Sequence, residues 1–273
     1  MARKLFLAAC CMAYVVWAAD ENPNQSTAAE VKFSCMFSLS WEDCGFREQA
    51  KESGRASLVT VDGIHAVRLH TEPGDDHVHG SHNSERNDLT LNQALTDCYD
   101  GKEHWWAHSV LFPDDYVDPP ESTGNTWNFG AIADFHNTTP GPGQANFQVI
   151  AMPVTAIAPD RPTGLNFQVN HGKQAHPTVY NAYVGPVTRN TWYHFVYHVK
   201  WSAHGDGYFD AWVNGARKMR YRGPTLYPGQ GCYLKLANYH SAFGKATSVI
   251  HARVIRAATP DAVSAGPLEG VLP

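Results

Sequence analysis

After its first twenty residues the sequence has no apolar run long enough to cross a bilayer, and none of its six cysteines are spaced as a Cys-x-x-Cys pair. The first absence excludes a membrane-spanning helix from the body of the chain. The second argues against a zinc knuckle. Positive charge is not in excess either, since 21 Lys and Arg stand against 26 Asp and Glu for a formal charge of −5. A general nucleic-acid binder is therefore not expected, although a local basic groove remains compatible with that balance. Helical periodicity is weak, no repeat of fixed period is present, and no Glu-x-Asp strand motif of the kind a paired-carboxylate hydrolase would show occurs.

What is present begins with Met-Ala-Arg-Lys, a continuous apolar run from Leu5 to Ala18, and a polar stretch from Asp20. This order of charge, apolar core and small residues is that of a secretory signal, cleaved near Ala18 or Ala19. Residues 1–19 are read as the signal and 20–273 as one exported domain, with no membrane anchor. The stretch ending at Cys10 falls short of a lipoprotein box, because few apolar residues precede it and many follow. Four cysteines remain after cleavage: Cys35, Cys44, Cys98 and Cys232. An even number in an oxidising compartment points to disulfides, and four allow three pairings. Cys35 with Cys44 is the local choice, which leaves Cys98 with Cys232.

Short runs rich in β-branched and aromatic residues recur between Gly, Pro, Asn and Asp clusters. They predict strands at Ala56–Val61, Ala66–His70, Arg86–Leu91, His104–Phe112, Trp127–Phe135, Ala145–Met152, Gly164–Val169, Trp192–Trp201, Gly207–Val213, Cys232–Tyr239 and Ser248–Ile255. Without βαβ alternation this is an all-β chain, a β-jelly roll or two-sheet sandwich. Trp192 to Gly215 reads as a long hairpin followed by an Asn214-Gly215 turn.

Side chains alternate between the two faces of a strand, so three strands can be tested for what lies opposite their core side. In "YLKLANYH", residues 233–240, Leu234 and Leu236 share one face while Tyr233, Lys235 and Tyr239 share the other. In "NFGAIADFHN", residues 128–137, Phe129, Ala131, Ala133 and Phe135 share one face and Ile132, Asp134 and His136 the other. In "RNDLTL", Leu89 and Leu91 oppose Arg86, Asp88 and Thr90. Tyrosine, cations, imidazole and carboxylate converging from separate strands suit a surface for an acidic sugar, where aromatics stack and Arg or Lys pair with carboxylates.

These stretches resemble the three strand motifs of the jelly-roll polysaccharide lyases, of alginate lyase, glucuronan lyase and heparin lyase I type: R-[ST]-E-L, Q-[IV]-H and Y-F-K-A-G-x-Y-x-Q, in the same order over about residues 50 to 257. The resemblance implies a groove that binds an acidic polysaccharide and cleaves it by β-elimination at a uronic acid. The resemblance makes Tyr239, His136 and Arg86 the catalytic residues: Tyr239 matches the tyrosine that serves as acid and often as base, His136 the motif histidine, which is the alternative base with Tyr239 only donating, Arg86 the arginine near the substrate carboxylate, and Lys235 the lysine beside them. Tyr233 would be a wall or stacking residue. Asp134 stands where the family has a neutralising Gln, Asp88 replaces Glu, and Ser241 replaces the last Gln of the third motif. Gln148, Gln168 and Asn170 are the candidates for the missing amide donor, and Lys173 with His171 would touch substrate from a loop after Val169. The strands bearing Arg86 and Tyr239 would be neighbours, which favours a Cys98–Cys232 bond.

The stretch "DDHVHGSHN", residues 75–83, matches no standard metal spacing and reads as a loop over the groove rim. No cofactor is called for, and nothing in the sequence indicates bound calcium. Asn137-Thr138-Thr139 is a glycosylation sequon in a eukaryotic host. The expected partner is an acidic polysaccharide met by a monomer. A non-catalytic carbohydrate-binding module on the same sandwich, or a glycoside hydrolase centred on Asp134, are the alternatives.

Overall fold

The computed structural model describes residues 31–78, 83–123, 127–141, 143–153 and 163–264. The proposed signal, the lipoprotein-like Cys10 and the middle of the 75–83 loop lie outside them. Fifteen strands are described: β1 (Val31–Cys35), β2 (Phe46–Ala50), β3 (Ala56–Val61), β4 (Ile64–Thr71), β5 (Ser84–Leu91), β6 (Glu103–Leu111), β7 (Gly130–Asn137), β8 (Phe147–Met152), β9 (Gly164–Lys173), β10 (His176–Gly185), β11 (Trp192–Lys200), β12 (Tyr208–Val213), β13 (Ala216–Arg222), β14 (Cys232–Ser241) and β15 (Thr247–Ala257). They form two antiparallel sheets, a jelly-roll sandwich. One sheet runs β13-β12-β11-β6-β15-β4-β3 with β1 beside β15, and the other runs β10-β9-β8-β7-β14-β5-β2.

The core between the sheets is built by the inward-facing half of each strand. Phe135 of β7 packs against Trp201 at 4.9 Å and Trp106 at 5.4 Å, and Phe147 of β8 stacks on Phe209 of β12 at 4.0 Å. All five rings are essentially inaccessible to solvent. Truncating such a ring to alanine costs about 3–5 kcal/mol. At Asn214-Gly215 both residues take positive φ, 49° and 78°, as a tight hairpin between β12 and β13 requires.

All eleven expected strands are present. Four others go beyond those expected: β1 alternates as Val-Lys-Phe-Ser-Cys but is only five residues long, and β2, β10 and β13 are polar, β2 reading Phe-Arg-Glu-Gln-Ala and β13 Ala-Arg-Lys-Met-Arg-Tyr-Arg. β2, β10 and β13 end their sheets, where charge blunts edge-to-edge pairing and so hides the strand pattern. The structure also corrects two placements. His171 and Lys173 belong to β9 and not to a loop, because β9 continues into a hairpin with β10. Ile132 lies in the core and Phe129 on the groove side, because the pairing of β7 slips between Ala131 and Ala133 against β8 and opposite Leu236–Tyr239 against β14.

Both disulfides are formed, Cys35–Cys44 and Cys98–Cys232, with Cα atoms 5.5 Å and 5.1 Å apart. The second fastens the chain before β6 to the first residue of β14, the strand that carries Tyr233, Lys235 and Tyr239.

Candidate active site

The outer face of the second sheet holds a groove of about 570 Å³. Its floor comes from β5, β14, β7 and β8, and its position follows from register. β14 keeps an unbroken antiparallel register with β5, so the alternation expected for "YLKLANYH" survives: Leu234 and Leu236 enter the core, and Tyr233, Lys235 and Tyr239 line the groove. β14 is pinned from behind by Asn238, whose amide donates to the Leu69 carbonyl of β4 at 3.1 Å and the Thr247 carbonyl of β15 at 2.9 Å.

Two rungs cross the floor. Arg86 of β5 lies opposite Tyr239, with its guanidinium carbon 3.9 Å from the centre of the phenol ring, a cation–π contact. Phe129 meets the same ring edge-on at 5.1 Å. On the other rung Thr90, Lys235, Asp134, Gln148 and Gln168 follow one another across five strands. Asp88 joins the rungs. Its Oδ2 stands 3.4 Å from Arg86 Nε and 3.3 Å from Lys235 Nζ, so the two cations are no further apart than the sum of those distances.

His136 belongs to a third position. It lies opposite Tyr233, with ring centres 5.3 Å apart, and not opposite Tyr239, which is six residues further along β14. The His136 Nδ1 donates to the Asn137 carbonyl at 3.0 Å, and the residue lines the groove. The structure therefore brings Arg86 to Tyr239 and His136 to Tyr233. The cation against Tyr239 is Arg86, and the one nearer Tyr233 is Lys235, 5.9 Å from its ring centre.

Charge is concentrated and largely dry here. Burial opposes the charged form of Lys235, but Asp88 and Asp134 outweigh it and hold its pKa above the ordinary lysine value. Burial pushes the Tyr233 phenol up. It also pushes the Asp134 carboxyl up, with Asp88 adding to the effect while His136, Lys235 and Arg86 pull the other way.

Of the amides proposed as donors, Gln148 lines the groove. Gln168 is buried beside it with neither end of its amide partnered. Asn170 is spent on structure, its amide donating to the Ala145 carbonyl at 2.7 Å. Lys173 is exposed near the β9–β10 turn, outside the groove lining. Sequence reasoning missed Trp127, Phe129, Gln49 and Gln144, which also line it. Gln49 sits on the unrecognised edge strand β2, opposite Asp88. Its one signal was its parity with Arg47, two residues away on the same side of a strand that begins with the apolar Phe46.

The rim above His136 is a loop held by Gln174 and Gln230: Gln174 donates to the Thr139 carbonyl at 3.1 Å and Gln230 to Gln174 at 2.8 Å. Gly143 in this rim has φ +122°, and a Cβ there would fall 2.0 Å from the Gln174 carbonyl oxygen, so no other residue fits without moving the loop. Asn137 of the sequon is buried, with its amide donating to the Thr139 carbonyl at 2.8 Å, which leaves the folded protein no room for a glycan there. In the 75–83 loop, Asp75 pairs with Arg55 and Asp76 with Lys51 and His77. Among the described residues no group of three or more His, Cys, Asp or Glu could hold a metal ion, and no helix is long and apolar enough to cross a membrane.

The geometry is that of a two-sheet jelly roll whose groove floor carries two cations and two phenols. The chain belongs to the polysaccharide lyase family, whose model matches residues 29–253, and it is a lyase enzyme. Solved structures of the same fold include the endo-β-1,4-glucuronan lyase of the fungus Trichoderma reesei, at 15% identity and a TM-score of 0.63 over 84% of this chain and 96% of that one. The alginate lyase Aly36B, in complex with an alginate trisaccharide, aligns at 13% identity and 0.55 over 83% and 98%. The cellulose induced protein Cip1 aligns at 12% and 0.53 over 83% and 97%. At these identities the likeness is one of fold. No curated protein matches the chain in sequence.

Proposed function

We propose that this lyase cleaves a uronic-acid polysaccharide, of glucuronan, alginate or glycosaminoglycan type, by β-elimination. The observation that carries the reading is the Arg86–Tyr239 rung beside the Asp88-linked Lys235: a phenol stands against one cation and near a second on the floor of an open groove. The names of two fold neighbours, a glucuronan lyase and an alginate lyase, agree with an acidic substrate.

The chemistry explains the residue types. A C5 proton beside a carboxylate becomes removable only when that carboxylate's charge is offset, so that the electron pair left on C5 can delocalise into it. Arg86 and Lys235 supply that offset. The Tyr239 phenol gives its own proton to the glycosidic O4 as the C4–O4 bond breaks, its oxygen takes the C5 proton in exchange, and the electron pair left on C5 becomes a C4=C5 double bond. No proton or electron is left over. His136 and Tyr233 line the groove further along, where they contact a neighbouring sugar.

Export is part of the proposal. The leader at residues 1–19 and the two disulfides suit an oxidising, extracellular or periplasmic setting, where a soluble monomer meets its polymer. The test is incubation with glucuronan, alginate and a glycosaminoglycan, following the ultraviolet absorbance of the conjugated C4=C5 product. Absorbance should rise with at least one polymer. Release of reducing ends from neutral polysaccharide alone, with no absorbance from any acidic one, would overturn the substrate class.

A further inference from the structure

Asp134 occupies the centre of the groove floor without a counter-ion. Its carboxylate lies on the rung between Lys235 and Gln148, only 4% of the residue is exposed, and Oδ1 is buried with no hydrogen-bond partner. The cations nearby are already committed, since Asp88 stands between Arg86 and Lys235. Every charged or titratable group packed against Asp134 can be named: Lys235 and Tyr233 on β14, Arg86 and Asp88 on β5, and His136 on its own strand, with the uncharged Gln148 on β8. With Asp88 and Asp134 both ionised, the floor carries two positive and two negative charges and offers an anionic sugar no net attraction. With Asp134 neutral, one positive charge is left for the substrate carboxylate.

We propose that Asp134 works as a neutral carboxylic acid, donating its O–H hydrogen bond to the uronate carboxylate and so doing with a proton what an amide N–H would do with none. This deepens, and rests on, the uronate-lyase reading above. A protonated carboxyl offers one donor and one acceptor, the same pair of functions a primary amide presents, and it reaches from the floor to the same point. Oδ1, sealed below the floor without a donor, leaves a charge there uncompensated and favours the neutral form, while the other carboxyl oxygen of this groove-lining residue makes the contact. Burial pushes the Asp134 carboxyl in the required direction, and a uronate bound beside it pushes further the same way, because two carboxylates sharing one site cannot both ionise cheaply. The bond is kept throughout turnover: the proton stays on Asp134 while charge builds on the substrate carboxylate, and the bond strengthens as it does.

The sign of the pH dependence follows. Asp134 is competent while protonated, so its contribution is present at low pH and lost as pH rises through its raised pKa. An asparagine in its place would be competent at every pH. Two measurements decide it. In protein labelled with ¹³C at aspartate carboxyls, the Asp134 resonance, identified by its loss in Asp134→Asn, should titrate above the other aspartates of the chain, and higher still with a saturating uronate oligosaccharide. In kcat/KM profiles on a cleaved polymer, Asp134→Asn should lose the alkaline fall that the parent shows, whereas Asp134→Ala should fall by on the order of a hundredfold at low pH, with the gap to the parent closing as pH rises. An Asp134 resonance that ionises with the ordinary aspartates, in the free and the ligand-bound protein, would overturn the proposal whether or not the enzyme cleaves uronates. So would an Asp134→Asn variant that is as inactive as Asp134→Ala across the range. Absence of cleavage by the parent, with the raised titration present, would instead count against the substrate reading alone.

Discussion

At the scale of single residues, the groove was legible wherever strand parity holds. Leu234 and Leu236 against Tyr233, Lys235 and Tyr239, and Leu89 and Leu91 against Arg86, are placed as alternation demands. What parity cannot give is which residues face each other across strands. Register puts Arg86 against Tyr239 and Tyr233 against His136. Nor did the sequence reveal that Asp88, a mild replacement on paper, is the carboxylate that spaces both cations. Arg86 is the residue whose removal should be felt in binding and chemistry together, because in the proposed reaction it faces the substrate carboxylate before and during elimination. Replacing Arg86 with alanine should lower kcat/KM by about ten- to a hundredfold, the worth of a charge-assisted hydrogen bond. Steady-state kinetics on the cleaved polymer would check this, and unchanged constants would make Arg86 a packing residue for Tyr239 only.

Elements tell a similar story. Strands rich in Val, Ile, Phe and Trp, such as β6 and β11, announced themselves, while the short β1, the Lys- and Arg-bearing β13 and the polar β10 did not, since an edge strand needs only one pairing partner and gains from charge on its open side. Ile132 and Phe129 were assigned to the wrong faces for a different reason: the slipped register at Ala131–Ala133 breaks strict alternation and leaves no mark in composition. The Cys98–Cys232 bond was legible because an even cysteine count left few pairings. It closes a sequence separation of 134 residues and fixes the start of β14. Replacing both cysteines with serine should cost about 2–5 kcal/mol of stability, seen as a lower denaturant midpoint. A midpoint equal to the parent's would mean that the Cys232–Cys98 backbone pairing and the neighbouring strands hold β14 without it.

At the scale of the whole molecule, four histidines are buried among the described residues, His104, His108, His240 and His251, and burial lowers the last three furthest. Burial drives His108 down to about 3 and His240 and His251 to about 4. An unfolded histidine takes its proton near pH 6.5, which the folded protein refuses, so below that pH the unfolded chain binds more protons and stability falls as pH falls toward the folded values. Each contributes about 1.4 kcal/mol per pH unit in that window. Glu85, raised by its own burial, works the other way but begins only near the carboxylate range. Urea unfolding should therefore show stability dropping between pH 6.5 and about 4, with a shallower slope in His108→Gln, and a flat profile would show that water reaches these rings. In the proposed reaction of this polysaccharide lyase, Tyr239 passes a proton during uronate elimination. The direct measurement is the rate of ultraviolet absorbance growth on a uronate polymer for the parent and for Tyr239→Phe, with folding and oligosaccharide binding checked in parallel. A fall on the order of 10²–10⁴-fold in Tyr239→Phe, with binding kept, is the predicted result. A Tyr239→Phe enzyme that eliminates as fast as the parent, while His136→Ala collapses, would contradict it and move the chemistry to the His136–Tyr233 pair.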